Sequence, residues 1–173
     1  MKTTNIVNMA IVATLLGCNP VSIAQVTATA AASVSIIEPI GLAKNADMDF
    51  GNAAVSASTG GTIVLSPTGS RTVGGSGVTL PATAGTIAAA GFTVSGRPGY
   101  TFAITLPGSA IIYGPGTASL TVNGFMSVPS VTGTLGSGGT QPLHIGATLN
   151  IPASQPPGNY TNATAIRVTV NYN

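Results

Sequence analysis

The chain has 173 residues, of which 44% are hydrophobic and 5% charged, and its formal net charge is +2. Soluble domains usually carry roughly a quarter charged residues, and five scattered cations exclude a phosphate track for nucleic acid. One His and three acids leave most enzyme chemistry without side chains, and an apolar, nearly uncharged chain argues against intrinsic disorder.

The first segment reads as an address label. Lys2 is followed by an apolar stretch, Ile6 to Leu16, and then by Ser22-Ile23-Ala24. Small residues at the −3 and −1 positions predict a secretory signal peptide over 1–24, cleaved after Ala24. The apolar run falls short of the roughly 20 residues a bilayer span needs. No later run reaches that length, so no transmembrane span is expected. Leu15-Leu16-Gly17-Cys18 offers a minor alternative, in which Cys18 is the lipidated N-terminus of a bacterial lipoprotein. Cleavage at Ala24 leaves a mature chain with no Cys, so no disulfide can staple it in an oxidising compartment.

Residues 25–37 read QVTATAAASVSII, without Gly, Pro or charge. Val26, Ala28, Ala30, Ala32, Val34 and Ile36 share one face of an extended strand. A smooth uncharged strand at a chain end is an aggregation hazard unless it is paired. It either closes an edge of its own domain or adds to the edge of a neighbour as a donated strand.

Residues 38–173 then alternate with period two, the mark of half-buried strands. Short candidates are Thr62–Ser66, Gly77–Leu80, Gly91–Ser95 and Ser119–Gly124. Tyr100, Phe102, Ile104 and Leu106 form one apolar row. Leu143, Ile145, Ala147, Leu149 and Ile151 form a second. Ile166, Val168, Val170 and Tyr172 form a third, read as core and groove wall. Gly, Pro, Ser and Asn clusters separate the runs, as at Ser58–Gly61, Val73–Gly77 and Gly136–Gly139. The Ala-rich stretch Ala82–Ala90, broken by Gly85, is the one helical alternative. About eight to ten short strands at near-regular spacing predict an all-β fold, a single immunoglobulin-like β-sandwich.

Several local patterns recur in order: Asp49-Phe50-Gly51, Gly61-Thr62-Ile63, Gly91-Phe92-x-Val94-x-Gly96, Gly146-x-Thr148-Leu149, and Pro157-Gly158-x-Tyr160 before Val168-Thr169-Val170-x-Tyr172. Together they resemble the secreted bacterial proteins grouped as domain of unknown function 4402, a likeness that carries over no functional residues. The layout is more distantly similar to fimbrial (pilin) subunits and spore-coat-like proteins. That similarity implies an N-terminal extension completing the sandwich of the next subunit, and a closing strand with a penultimate Tyr. Residues 25–37 and Tyr172 stand at those places. The chain departs from many pilins in lacking a disulfide, and its extension lacks the Gly found in some donor strands.

Chemical sites find little support. A triad would need His144 with Asp47, Asp49 or Glu38, yet no Gly-x-Ser-x-Gly turn is present and His144 falls on the polar side of its row. Asp47 and Asp49 are too few for a calcium site, which takes six to eight oxygens. They read instead as a solvated turn entering a strand at Phe50. Tyr100 reads as core, and Tyr113 as packed under its own loop with Ile111 and Ile112. Asn159 and Asn162 match the glycosylation acceptor pattern, which arises by chance in Thr-rich chains. An outer-membrane barrel lacks its aromatic girdles.

The sequence therefore predicts a non-enzymatic secreted bacterial protein, at the periplasm, outer surface or exterior, with no cofactor or metal. Fimbrial- or coat-like self-association by edge-strand pairing, or pairing with other envelope subunits, is the leading expectation. A monomeric surface adhesin presenting Ile111–Thr117 is the alternative.

Overall fold

The computed structural model describes residues 25–173. The expected signal peptide over 1–24 and the alternative reading of Cys18 as a lipidation site therefore fall outside the described residues. The chain divides into two units at Ser35–Ile36. In the first, 25–35 contains neither helix nor strand, and its side chains are exposed on both faces.

The second unit, Ile36–Asn173, is all-β, with no helix among the described residues. Its strands are β1 (Gly41–Ala46), β2 (Ala54–Val55), β3 (Gly61–Leu65), β4 (Arg71–Gly74), β5 (Val78–Thr79), β6 (Ala90–Ser95), β7 (Thr101–Thr105), β8 (Ser109–Tyr113), β9 (Ser119–Val128), β10 (Thr132–Thr134), β11 (Thr140–Ile151) and β12 (Thr169–Tyr172). Twelve strands exceed the expected eight to ten because short pieces such as β2 and β10 are too brief to show a period. Ala82–Ala90 forms no helix, and its last residue opens β6. Phe50 lies outside any strand, and Asp49 makes only an isolated bridge to Ala88.

The strand β11 is the spine of a seven-stranded sheet. Along one edge, β9 pairs with His144 to Asn150. The other edge is shared, since β6 takes Thr140 to Ile145 and β3 takes Ala147 to Ile151. The hand-over falls at Gly146. A Cβ there would overlap the carbonyl oxygen of Leu65 and the backbone of Ser66 and Pro67, where β3 leaves the sheet. Only a residue without a side chain fits this crossing. Outside these, β1 pairs β6, β4 pairs β3 and β8 pairs β9, all antiparallel.

A bulge sits opposite the hand-over. Gly146 faces Met126 and Thr148 faces Asn123, so β9 carries one extra residue across from Ala147. Gly124, with φ +57°, supplies the left-handed turn of the backbone. The extra residue reverses which side chains face inward. Before it Leu120 and Val122 are buried; after it Ser127 is buried while Met126 and Val128 are exposed. The expected strand Ser119–Gly124 thus runs on to Val128.

Two smaller sheets complete the unit, a three-stranded one in the order β10-β7-β12 and the pair β2-β5. The inward row of β11 serves two apolar clusters. Ala147, Leu149 and Ile151 join Ile63, Val78, Ala110, Leu120 and Val122. Leu143 and Ile145 join Ala90, Val94, Phe102, Ile104 and Leu135. Met48 and Phe125 touch both. Burying each Leu, Ile, Val or Phe stabilises the fold by about 1.5–3 kcal/mol. With no Cys in the described residues, these clusters are its main support.

The third expected row is strand only from Thr169. Its partner β7 ends at Thr105, opposite Thr169, so Ile166 and Val168 have no ladder to join. They nevertheless pack against the second cluster, as do Val170 and Tyr172.

Candidate association surface

The proposed strand-donor face is open to solvent. Val26, Val34 and Ile36 are 90%, 85% and 94% exposed, and Ala28, Ala30 and Ala32 are exposed too. Apolar side chains of this size gain free energy on leaving water, and none of these residues has a strand partner among the described residues.

The wall residues gather at the other end of the chain. Tyr172 is half-buried and its hydroxyl ties three segments together. It accepts a hydrogen bond from Arg97 N at 2.8 Å and donates one to Glu38 O at 2.9 Å. Its ring meets Tyr100 edge-on, with centroids 5.8 Å apart. The penultimate residue thus holds Glu38, close to the start of the second unit. Tyr100 itself is 43% exposed rather than a core residue, because β7 begins one residue later, at Thr101.

Strand edges decide where a further strand could add, and most of them are occupied or charged. Lys44 and Asp47 form an ion pair of 2.6 Å beside β1. Arg71 opens β4, and its guanidinium donates to Phe50 O, Asn52 O and Ala84 O, which pins the 50–52 loop. The outer edge of β8 is capped. Tyr113 and Thr161 exchange backbone hydrogen bonds at 2.8 and 3.1 Å, and Asn162 Nδ2 donates to Ile111 O at 2.8 Å. Asn162 is thus engaged as an edge cap, its Oδ1 accepting from Thr164 N and Oγ1. Charges and caps of this kind protect sheet edges from unwanted pairing.

Within the seven-stranded sheet, one edge lacks such protection among the described residues. β8 stops at Ser109, opposite Asn123, so Gly124–Val128 of β9 has a partner strand on one side only. A groove of about 330 Å³ runs beside it, lined by Ile104, Leu106, Phe125, Met126 and Val131, with Ser127 and Ser130. Met126, Val128 and Val131 are 41%, 54% and 74% exposed. The period-two reading of the sequence missed this surface, because the bulge at Gly124 reverses the parity of Phe125–Val128. Its signal was the phase break itself, a Gly followed by Phe125-Met126 on adjacent positions.

The remaining candidates stand apart. His144 is exposed on the outer face of β11, opposite Val128 and Gly91, and lines a shallow depression with Pro67, Thr68, Gly69 and Ala89. Asp47 is taken by Lys44, and Asp49 Oδ1 accepts from Gly51 N at 2.8 Å. Among the described residues no three His, Cys, Asp or Glu side chains converge. No helix among them is long and apolar enough to cross a membrane. Tyr113 is 59% exposed and Ile111 46%, which corrects the expectation that Tyr113 packs beneath its own loop. Both lie on the odd, outward face of β8, whereas Ala110 and Ile112 face the first cluster. Tyr160 packs on that cluster, its hydroxyl donating to Pro156 O at 2.8 Å, and lies outside any strand.

These features define an all-β domain whose uncommitted surface is backbone and apolar side chain, with few titratable groups. Residues 40–172 match the family described as Domain of unknown function (DUF4402), and the chain belongs to that family. No curated protein and no solved structure matches it.

Proposed function

We propose that this chain is a non-enzymatic structural subunit of the bacterial exterior, exported by its N-terminal segment and associating through main-chain strand pairing. The single observation that carries this reading is the exposed face Val26, Ala28, Ala30, Ala32, Val34 and Ile36, apolar, uncharged and in no ladder. Its domain is taken as an immunoglobulin-like sandwich. In support, Phe102 and Ile104 of the three-stranded sheet and Leu143 and Ile145 of the seven-stranded sheet meet in one cluster, as inner faces of packed sheets do. A fimbrial or coat-like assembly would use both features, with 5% charged residues giving little electrostatic opposition to close contact.

The test is light scattering coupled to size exclusion, on protein purified after expression of the full-length gene. Wild type is expected to form oligomers, and Val34→Asp, which places a charge on the pairing face, to remain monomeric with unchanged thermal stability. A wild type that stays monomeric at high concentration would sink the proposal. A second reading rests on Tyr113 and Ile111, whose exposure on β8 suits a monomeric adhesin. It predicts monomers whose binding to cells or glycans vanishes on Tyr113→Ala.

A further inference from the structure

We infer that Gly124–Val128 of β9 is the acceptor edge for the Ala30–Ile36 part of a second copy of this chain, with Val34 and Ile36 seated in the adjoining groove. The inference rests on the subunit reading above and gives it an address.

Four observations carry it. The first is geometric. Beyond Asn123 the outer side of β9 has no strand partner, so its backbone can accept one more strand. The bulge turns Phe125 toward the groove and the clusters, so a strand added at this edge would direct alternate side chains to the same side. The second is chemical. The groove walls are Ile104, Leu106, Phe125, Met126 and Val131, and no charged residue occurs in Gly124–Val131. None occurs in 25–37 either. Neither partner therefore has to strip water from an ion.

The third is size. A groove of about 330 Å³ takes a few aliphatic side chains rather than a whole strand. The donor row is small at Ala28, Ala30 and Ala32 and large at Val34 and Ile36. Its two large members suit the groove. Five paired residues span about 17 Å of the roughly 43 Å that residues 25–37 reach when extended. The fourth is exclusion. Within the seven-stranded sheet, β1, β4 and β8 carry an ion pair, an arginine and a side-chain cap respectively, whereas this edge carries none among the described residues. Val34 and Ile36 are 85% and 94% exposed and lie in no strand, which leaves them available to a second copy of the same uncharged chemistry.

The experiment places a photo-activated benzophenone side chain at position 34 in the full-length gene. Isotopically heavy and light protein are mixed, irradiated and mapped by mass spectrometry. Heavy-to-light links to Leu106, Phe125, Met126 or Val131 are expected. Heavy-to-light links to any other strand edge, such as β1, β4, β8, β10 or β12, would overturn this acceptor site while leaving the subunit reading intact. Links within one copy only would overturn the second-copy occupant. Absence of oligomers by light scattering would remove the subunit reading and this inference with it. As an independent check, Met126→Lys with Val131→Lys changes two exposed positions. It should weaken association about tenfold or more without lowering the thermal midpoint. Thr72→Lys on β4 should leave association unchanged. Equal association of all three proteins would also overturn the proposal.

Discussion

Removing the Tyr172 hydroxyl tests how the domain is closed. In Tyr172→Phe the ring stays against the second cluster and Tyr100, but two hydrogen bonds disappear. Arg97 N loses its acceptor at 2.8 Å, and Glu38 O loses its donor at 2.9 Å. A typical hydrogen bond contributes about 0.5–1.5 kcal/mol net, and a buried group left unpaired costs about 1–3 kcal/mol. Arg97 and Glu38 are exposed, so water replaces part of what is lost. The expected destabilisation is about 1–2 kcal/mol. For a domain of this size it lowers the melting midpoint by about 3–6 °C. Denaturant unfolding followed by circular dichroism reads the free energy, and hydrogen exchange reads the Arg97 amide. The amide should exchange faster in the variant while amides in β11 keep their relative protection. An unchanged midpoint together with an unchanged Arg97 amide would refute the idea that the penultimate residue clasps the start of the domain.

Other outcomes follow from the same structure. Gly146→Ala places a Cβ against the Leu65 carbonyl and the Ser66–Pro67 backbone. It should cost about 3 kcal/mol in urea unfolding, against little for Thr148→Ala, a half-buried position two residues on. Arg71→Met removes the guanidinium bonds to Phe50, Asn52 and Ala84. It should cost about 1.5–3 kcal/mol and make the 50–52 loop the first site of limited proteolysis. Leu143→Ala empties a fully buried position of the second cluster and should cost about 2–5 kcal/mol by thermal unfolding.

Much of this was legible in the sequence, for definite physical reasons. The row Leu143, Ile145, Ala147, Leu149 and Ile151 is buried throughout, because a strand paired on both edges keeps strict alternation. Phe102 and Ile104 follow the same rule in the small sheet. Where pairing is interrupted the pattern fails. The bulge at Gly124 moves Met126 and Val128 to the outside, so the groove at this edge could not be read from parity. Tyr113 is apolar-flanked in sequence but outward in space, since its neighbours Ile111 and Ile112 lie on opposite faces of β8. The proposed donor segment stands out in the sequence by its missing charges and turns. Its candidate acceptor does not, because an edge is a property of what fails to pair, and only the assembled sheet displays that.

The central claim is that residues 25–37 pair with another copy through the main chain. Amide hydrogen exchange of this segment, measured on the same protein at high concentration and after dilution below the association range, tests it most directly. The account predicts protection of alternate amides between Ala30 and Ile36 at high concentration, lost on dilution in step with dissociation. Protection that persists in the monomer, or amides that exchange freely at every concentration, would contradict it.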